Sequence, residues 1–190
     1  MATSKSCWSR FETDIKNMIG GMKQYAQSVK HFVRSEKLAL GDVKNKYILA
    51  ECKLRDYATK KFRKEHPAKP YKSFNIEFAW WKQSVQECAD INKDEKVNRI
   101  PVMFCKPKHG RKEHILIVIN GKDWLKWMET ISIEFTTHLA LPKKSNAKSI
   151  TIEYDGMFPK MVIYNKEVLF IMGIRTFDLA KQLWYQSEDK

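Results

Sequence analysis

Three side chains of this protein stand at a spacing suited to phosphoryl chemistry: Asp42 in the run Gly41-Asp42-Val43, and Glu51 and Lys53 in the run Ala50-Glu51-Cys52-Lys53. Residues two apart on a strand share a face, so Glu51 and Lys53 point the same way. The alternate positions Ile48, Ala50, Cys52 and Leu54 are all apolar and belong to a core face, leaving Tyr47, Leu49, Glu51 and Lys53 on the other. A β-hairpin over 38–54, turning at Asn45, folds Asp42 back to within one or two pairs of Glu51. Two converging carboxylates make an oxygen-rich site for Mg²⁺ or Mn²⁺, which bind through few carboxylates and keep several waters. Such an ion lowers the pKa of its water and polarises a phosphate oxygen. A lysine beside it adds fixed positive charge where negative charge develops. No organic cofactor is called for.

The charge balance fits an anionic substrate. The 190 residues carry 35 Lys plus Arg against 22 Asp plus Glu, a net charge of +13. That excess favours a polyanionic partner, nucleic acid before a membrane surface. With 43% hydrophobic and 30% charged residues, the chain reads as globular and not as disordered. No apolar run approaches the roughly 18 residues of a membrane span. The first residues lack the apolar segment of a signal peptide. Cys7, Cys52, Cys88 and Cys105 are dispersed, without a Cys-x-x-Cys pair, as expected of free thiols in a reducing, intracellular compartment. His66, His109, His114 and His138 show no metal-ligand spacing.

Several elements must position the carboxylates. Phe11, Ile15, Met18 and Ile19 recur at helical spacing and predict a helix over 9–19, capped by Ser9 and stopped at Gly20-Gly21. Residues 22–30 favour a further helical stretch and 31–34 a short strand. After the hairpin, residues 55–72 hold seven Lys or Arg with two prolines. Such an insertion is more often functional than architectural. Phe74, Phe78, Trp81, Val85 and Cys88 predict an amphipathic helix over 74–90 with Lys82, Gln83, Gln86 and Glu87 outside. Strands follow at 100–106 and 114–120, the second buried on both faces by its continuous apolar run. Asp123 then caps a short helix. Residues 138–149 are expected to be a linker. Three short strands and a helix near 177–186 complete the chain.

At these residues the sequence resembles the PD-(D/E)xK nuclease superfamily, and within it the archaeal and phage Holliday-junction resolvases. The resemblance rests on Gly41-Asp42-Val43 and Ala50-Glu51-Cys52-Lys53, covers residues about 8–130, and finds a first-helix glutamate in Glu12. Residues 80–89 match a helix bearing polar inward residues. The family's fold implies a restriction-endonuclease-like mixed central α/β sheet flanked by helices. That places a nuclease core at 1–135 and a small β-rich C-terminal appendage of unassigned role at 145–190. It implies a metal-dependent DNA endonuclease, with Asp42, Glu51 and Glu12 on the metal and Lys53 completing catalysis. It also implies branched DNA as substrate and a homodimer that cuts both strands symmetrically. The 55–72 insertion separates Lys53 from its helix further than the family does.

Other readings stay open. Ser9-x-x-Glu12 is also a capping box, in which Glu12 serves the helix start. Glu51 and Lys53 also suit a solvated cross-strand pair. Arg34 and Lys37 near the hairpin, Lys60, Lys61, Arg63 and Lys64 in the insertion, and Lys106, Lys108, Arg111 and Lys112 in the later basic turn are candidate phosphate contacts. A sequence-specific or DNA-end nuclease, a non-catalytic nucleic-acid-binding protein and a scaffold whose charge serves solubility are the competing functions. Carboxylates gathered on a basic surface argue against a pure binder, because they repel phosphate unless a cation intervenes.

Overall fold

The computed structural model describes residues 4–20, 22–23, 43–55, 73–107, 111–131, 138–140, 148–153, 159–164 and 166–188. Over these residues the fold is mixed α/β. Helix α1 (Ser4–Ile19) precedes the short strands β1 (Met22–Lys23) and β2 (Val43–Lys44) and the longer β3 (Ile48–Arg55). Then come β4 (Ser73–Glu77), α2 (Phe78–Glu95), β5 (Ile100–Pro107), a 3-10 turn at Lys112–His114, β6 (Leu116–Asn120) and α3 (Gly121–Ile131). The chain ends with β7 (His138–Ala140), β8 (Ser149–Glu153), β9 (Lys160–Tyr164), β10 (Glu167–Gly173) and α4 (Ile174–Glu188). Eight strands form an open sheet in the order β1-β2-β3-β5-β6-β10-β9-β7, while β4 and β8 pair separately. The sheet is mixed: β3 runs parallel to β5, and β7 to β9, with the other neighbours antiparallel. A parallel neighbour cannot be reached by a tight turn, and α2 lies in the crossover from β3 to β5.

Strand parity divides the core in two. Ala50 and Cys52 of β3, Phe104 of β5 and Ile117 of β6 face one way, against Phe11 and Ile15 of α1, Trp124 and Trp127 of α3, and Phe177 and Trp184 of α4. Met103, Cys105, Leu116, Val118 and Ile171 face the other way, against Phe78 and Trp81 of α2 and Ile76 and Ile150 of the β4–β8 pair. Both β5 and β6 bury consecutive residues, as the unbroken apolar run of 115–119 requires.

Several boundaries differ from expectation. Helix α1 begins at Ser4, so Ser9 lies inside it, and the Thr13 hydroxyl donates to the Ser9 carbonyl at 2.8 Å. The capping-box reading of Glu12 therefore fails. Met22–Lys23 is a strand and not a helix. Phe74 lies in β4, and α2 buries Phe78, Trp81, Ser84, Cys88 and Ile91 while Val85 is exposed. The helical stripe is rotated from the one read off the aromatics because Ser84 is small enough to lie inward. His138–Ala140, expected in a linker, pairs with β9. Tyr47 precedes the regular strand, so alternation does not govern it. Its ring packs on Trp184 and Tyr185, 5.0 and 4.9 Å between centroids, on the α4 side.

The segment expected to stand apart at 145–190 does not. Strand β10 pairs with β6 along five residues, and α4 closes the first core cluster. The Asn45 amide donates to the Ile19 carbonyl at 2.7 Å and to the Tyr185 hydroxyl at 2.5 Å, tying α1, the hairpin turn and α4 together. Lys181 of α4 donates to the Met18 carbonyl. The C-terminal strands continue the central sheet because β6 would otherwise expose an apolar edge.

Helix α3 starts directly after β6, and Asn120, not Asp123, supplies its cap by accepting the Lys122 amide at 2.8 Å. Asp123 sits in the first turn, where burial raises its carboxyl above the usual range. At Gly121 a Cβ would lie 2.9 Å from both the Cβ and the carbonyl oxygen of Val168 in β10. Gly→Ala inside a helix normally stabilises by about 1 kcal/mol. Gly121→Ala is expected to do the opposite, lowering stability by about 1–3 kcal/mol through overpacking, read as a lower urea midpoint.

Candidate active site

The hairpin that positions Glu51 is present. Val43 pairs with Ala50 and Lys44 with Leu49. Its turn is held by Asn45, whose side-chain oxygen accepts the amides of Tyr47 and Ile48 at 2.8 and 2.7 Å. Asn is suited to this because its amide can mimic a backbone turn. Lys44 and Arg99 both pair with Glu95 at the end of α2, and these two contacts, Lys44 first, hold its carboxyl below the usual range. The Arg99 guanidinium also donates to the Asn45 carbonyl at 2.5 Å. The turn is thereby fixed to the helix that covers the Glu51 face.

On that face Glu51 stands beside Met103, in a row that runs on through Val118 and Ile171, and Lys53 stands beside Cys105, with Leu116 beyond it. Glu51 and Lys53 thus stand at the β3 end of rows whose β5 and β6 positions are apolar, and the Glu51 row ends in Lys160 and His138 on β9 and β7. Glu51 is 7% exposed. The Lys53 ammonium donates to Glu51 Oε1 at 2.5 Å and to Gln83 Oε1 of α2 at 3.3 Å. Gln83 in turn donates to Glu87 at 2.8 Å. Beneath Lys53, burial pushes the Cys105 thiol far above its ordinary range, an effect that the Lys53 charge only partly offsets. A buried ion pair is no source of stability in itself, since desolvation of both charges offsets their attraction. Set against Met103 and Cys105, the pair sits where that desolvation is costly.

Glu51 and Lys53 are the expected site residues that the structure brings together. Glu12 is half-buried on α1, the helix packed on the opposite face of the sheet, where Ala50 and Cys52 point. Asp42, Arg34, Lys37, Lys60, Lys61, Arg63, Lys64 and Lys108 lie outside the described residues. Arg111 and Lys112 are exposed in the turn after β5, at the end of the sheet where β3 also finishes. Arg111 is 3.8 Å from Glu113, and its amide donates to His114 Nδ1 at 3.0 Å. Lys106, grouped with these as a phosphate contact, turns inward instead. It is buried, 3.8 Å from Asp14 and 5.4 Å from the centroid of the Phe11 ring. Strand parity explains this, since position 106 shares the face of Phe104. The contact of Gln83 with Lys53 was hidden in the sequence among outward polar residues of α2.

Among the described residues, no group of three or more His, Cys, Asp or Glu side chains gathers to hold a metal ion. The donor set there is one buried carboxylate next to an ammonium and an amide. The ammonium occupies one oxygen of that carboxylate, so a metal enclosed by protein ligands does not fit the described residues alone. Among the described residues, no helix is long and apolar enough to cross a membrane. No family model, curated protein or solved structure matches the chain.

Proposed function

We propose that this protein is a metal-dependent DNA endonuclease of the PD-(D/E)xK type, with a restriction-endonuclease-like core, acting on branched DNA as a homodimer. The observation that carries this reading is the Glu51–Lys53 pair, set against the apolar Met103 and Cys105 of β5, with Gln83 reaching Lys53 from α2. The order of elements supports it: a first helix, a hairpin carrying Glu51 and Lys53, a crossover helix with polar residues turned to the site, then β5 and β6. The net charge of +13 supports a nucleic-acid substrate.

In this reading Glu51 and Asp42, the residue just before the paired Val43, hold Mg²⁺ or Mn²⁺. The bound ion would supply a water of lowered pKa and polarise the phosphate. Lys53 keeps a positive charge beside the scissile phosphate and orients the attacking water, and Gln83 fixes the Lys53 ammonium in place. The same ammonium holds Glu51 in alignment. The apolar neighbours Met103 and Cys105 limit water on the protein side, which strengthens each of these electrostatic contacts.

The test is cleavage of a labelled four-way junction in Mg²⁺, beside matched linear duplex and flap. Paired symmetric cuts in the junction, abolished by chelator, are expected. Binding without cleavage in either metal would leave a nucleic-acid-binding protein. Cuts at one recurring sequence in linear duplex would replace the resolvase reading with a sequence-specific nuclease.

A further inference from the structure

A cavity of about 390 Å³ opens beside the first turns of α2. It is lined by Glu77, Ala79 and Lys82 from the β4–α2 junction, Lys148 and Ser149 at the start of β8, and Tyr164 at the end of β9. Its walls are fixed. The Phe78 amide donates to the Lys148 carbonyl at 2.9 Å, and the Phe78 ring stacks on Tyr164 at 3.6 Å between centroids. Lys82 stands 5.7 Å from the centroid of the same Tyr164 ring. Lys82 adjoins Gln83, the residue that reaches Lys53, so one helix serves both the cavity and the Glu51–Lys53 pair.

We infer that this cavity is a nucleotide-binding subsite for a single-stranded stretch of nucleic acid, with Lys82 and Lys148 on its flanking phosphates and Tyr164 against its sugar and base. Two lysines from separate walls supply a cation for the phosphate on either side of one nucleotide. An aromatic ring and the Ala79 methyl supply the apolar contact that an unstacked base needs and that a paired base, held in its duplex, does not offer. The volume falls within the range of small-ligand sites, about 300–1,000 Å³. Among the described residues Glu77 is the one acidic group in the lining, and it opposes phosphate. The inference rests on the nucleic-acid reading above and not on cleavage.

The test is fluorescence anisotropy with a labelled oligothymidine and a blunt duplex, in EDTA, over a range of salt. Lys82→Ala/Lys148→Ala should weaken single-strand binding by about tenfold, with a slope of log K against log[salt] shallower by about 0.7 for each lost phosphate contact. Duplex binding should change much less. Lys122→Ala/Lys126→Ala, an equal loss of charge from exposed positions of α3 on the opposite face of the sheet, should leave the single-strand affinity within about twofold of the native value, because exposed charges further away than about a Debye length are screened. Glu77→Gln should tighten binding, and it loses no helix cap because the Glu77 side chain makes none. Unchanged affinity in the Lys82/Lys148 variant, or equal losses in both lysine variants, overturns the subsite. If the subsite behaves as expected and the native protein cuts no DNA in Mg²⁺, the nuclease reading fails alone.

Discussion

Glu51→Gln is expected to fold and to bind DNA as the native protein does, and to lose metal-dependent cleavage by on the order of a hundredfold or more. Glutamine has the shape of glutamate and can still accept from Lys53, so the 2.5 Å contact loses its charge but not its geometry. Lys53 keeps its second acceptor in Gln83. What disappears is the anionic oxygen that a divalent ion requires. Binding should hold or tighten, because a negative charge has been taken from beside a phosphate. The readout is single-turnover junction cleavage in Mg²⁺ alongside affinity in EDTA. If Glu51 were only half of a structural ion pair, the variant would be less stable but would cut at the native rate, and the site assignment would fall.

Parity and periodicity made much of this visible in the sequence, and burial decided the rest. The alternation from Ile48 to Leu54 places Glu51 and Lys53 on one face with no knowledge of their neighbours. It cannot show that the neighbours on that face are Met103, Val118 and Ile171, since these arrive through a parallel crossover and two antiparallel pairings. Pairing across such distances has no local signal. The inward turn of Lys106 is hidden in the sequence for a related reason. A lysine in a basic turn looks solvated, yet the parity of β5 sends it toward Phe11 and Asp14. The short strands after residue 148 are legible as strands, and Asn165-Lys166 as a turn joining β9 to β10, but that β8 joins β4 and β10 joins β6 is not. A Pro-, Lys- and Ser-rich stretch reads as a boundary by composition, and composition is silent on whether the chain beyond it returns to the same sheet. The first-helix glutamate has a different lesson. Glu12 matched a family pattern by position, while the helix carrying it covers the face that Glu51 turns away from.

That return to the sheet has a measurable consequence at Trp127. Its indole is 1% exposed on α3 and stacks on Trp184 of α4 at 4.5 Å between centroids, with Phe177 at 5.7 Å and Trp124 at 6.4 Å. Phe177 in turn meets Phe104 of β5 edge-on at 5.4 Å. The aromatic chain thus runs from the last helix to the strand lying beside Glu51. Trp127→Ala removes the member that touches all three partners on α3 and α4. It is expected to lower stability by about 3–5 kcal/mol, the cost of truncating a large aromatic in a core that cannot collapse around the gap. Native domains have only about 5–15 kcal/mol in total, so the variant should unfold well below the native midpoint. Because β10 and α4 share the sheet and core with β3 and β5, that loss should displace one cooperative transition seen alike by far-ultraviolet circular dichroism and tryptophan fluorescence. An independent C-terminal unit would behave otherwise. It would unfold in a separate step, so that the circular dichroism would show two transitions, of which only that of the unit carrying α3 would move while the other kept its native midpoint.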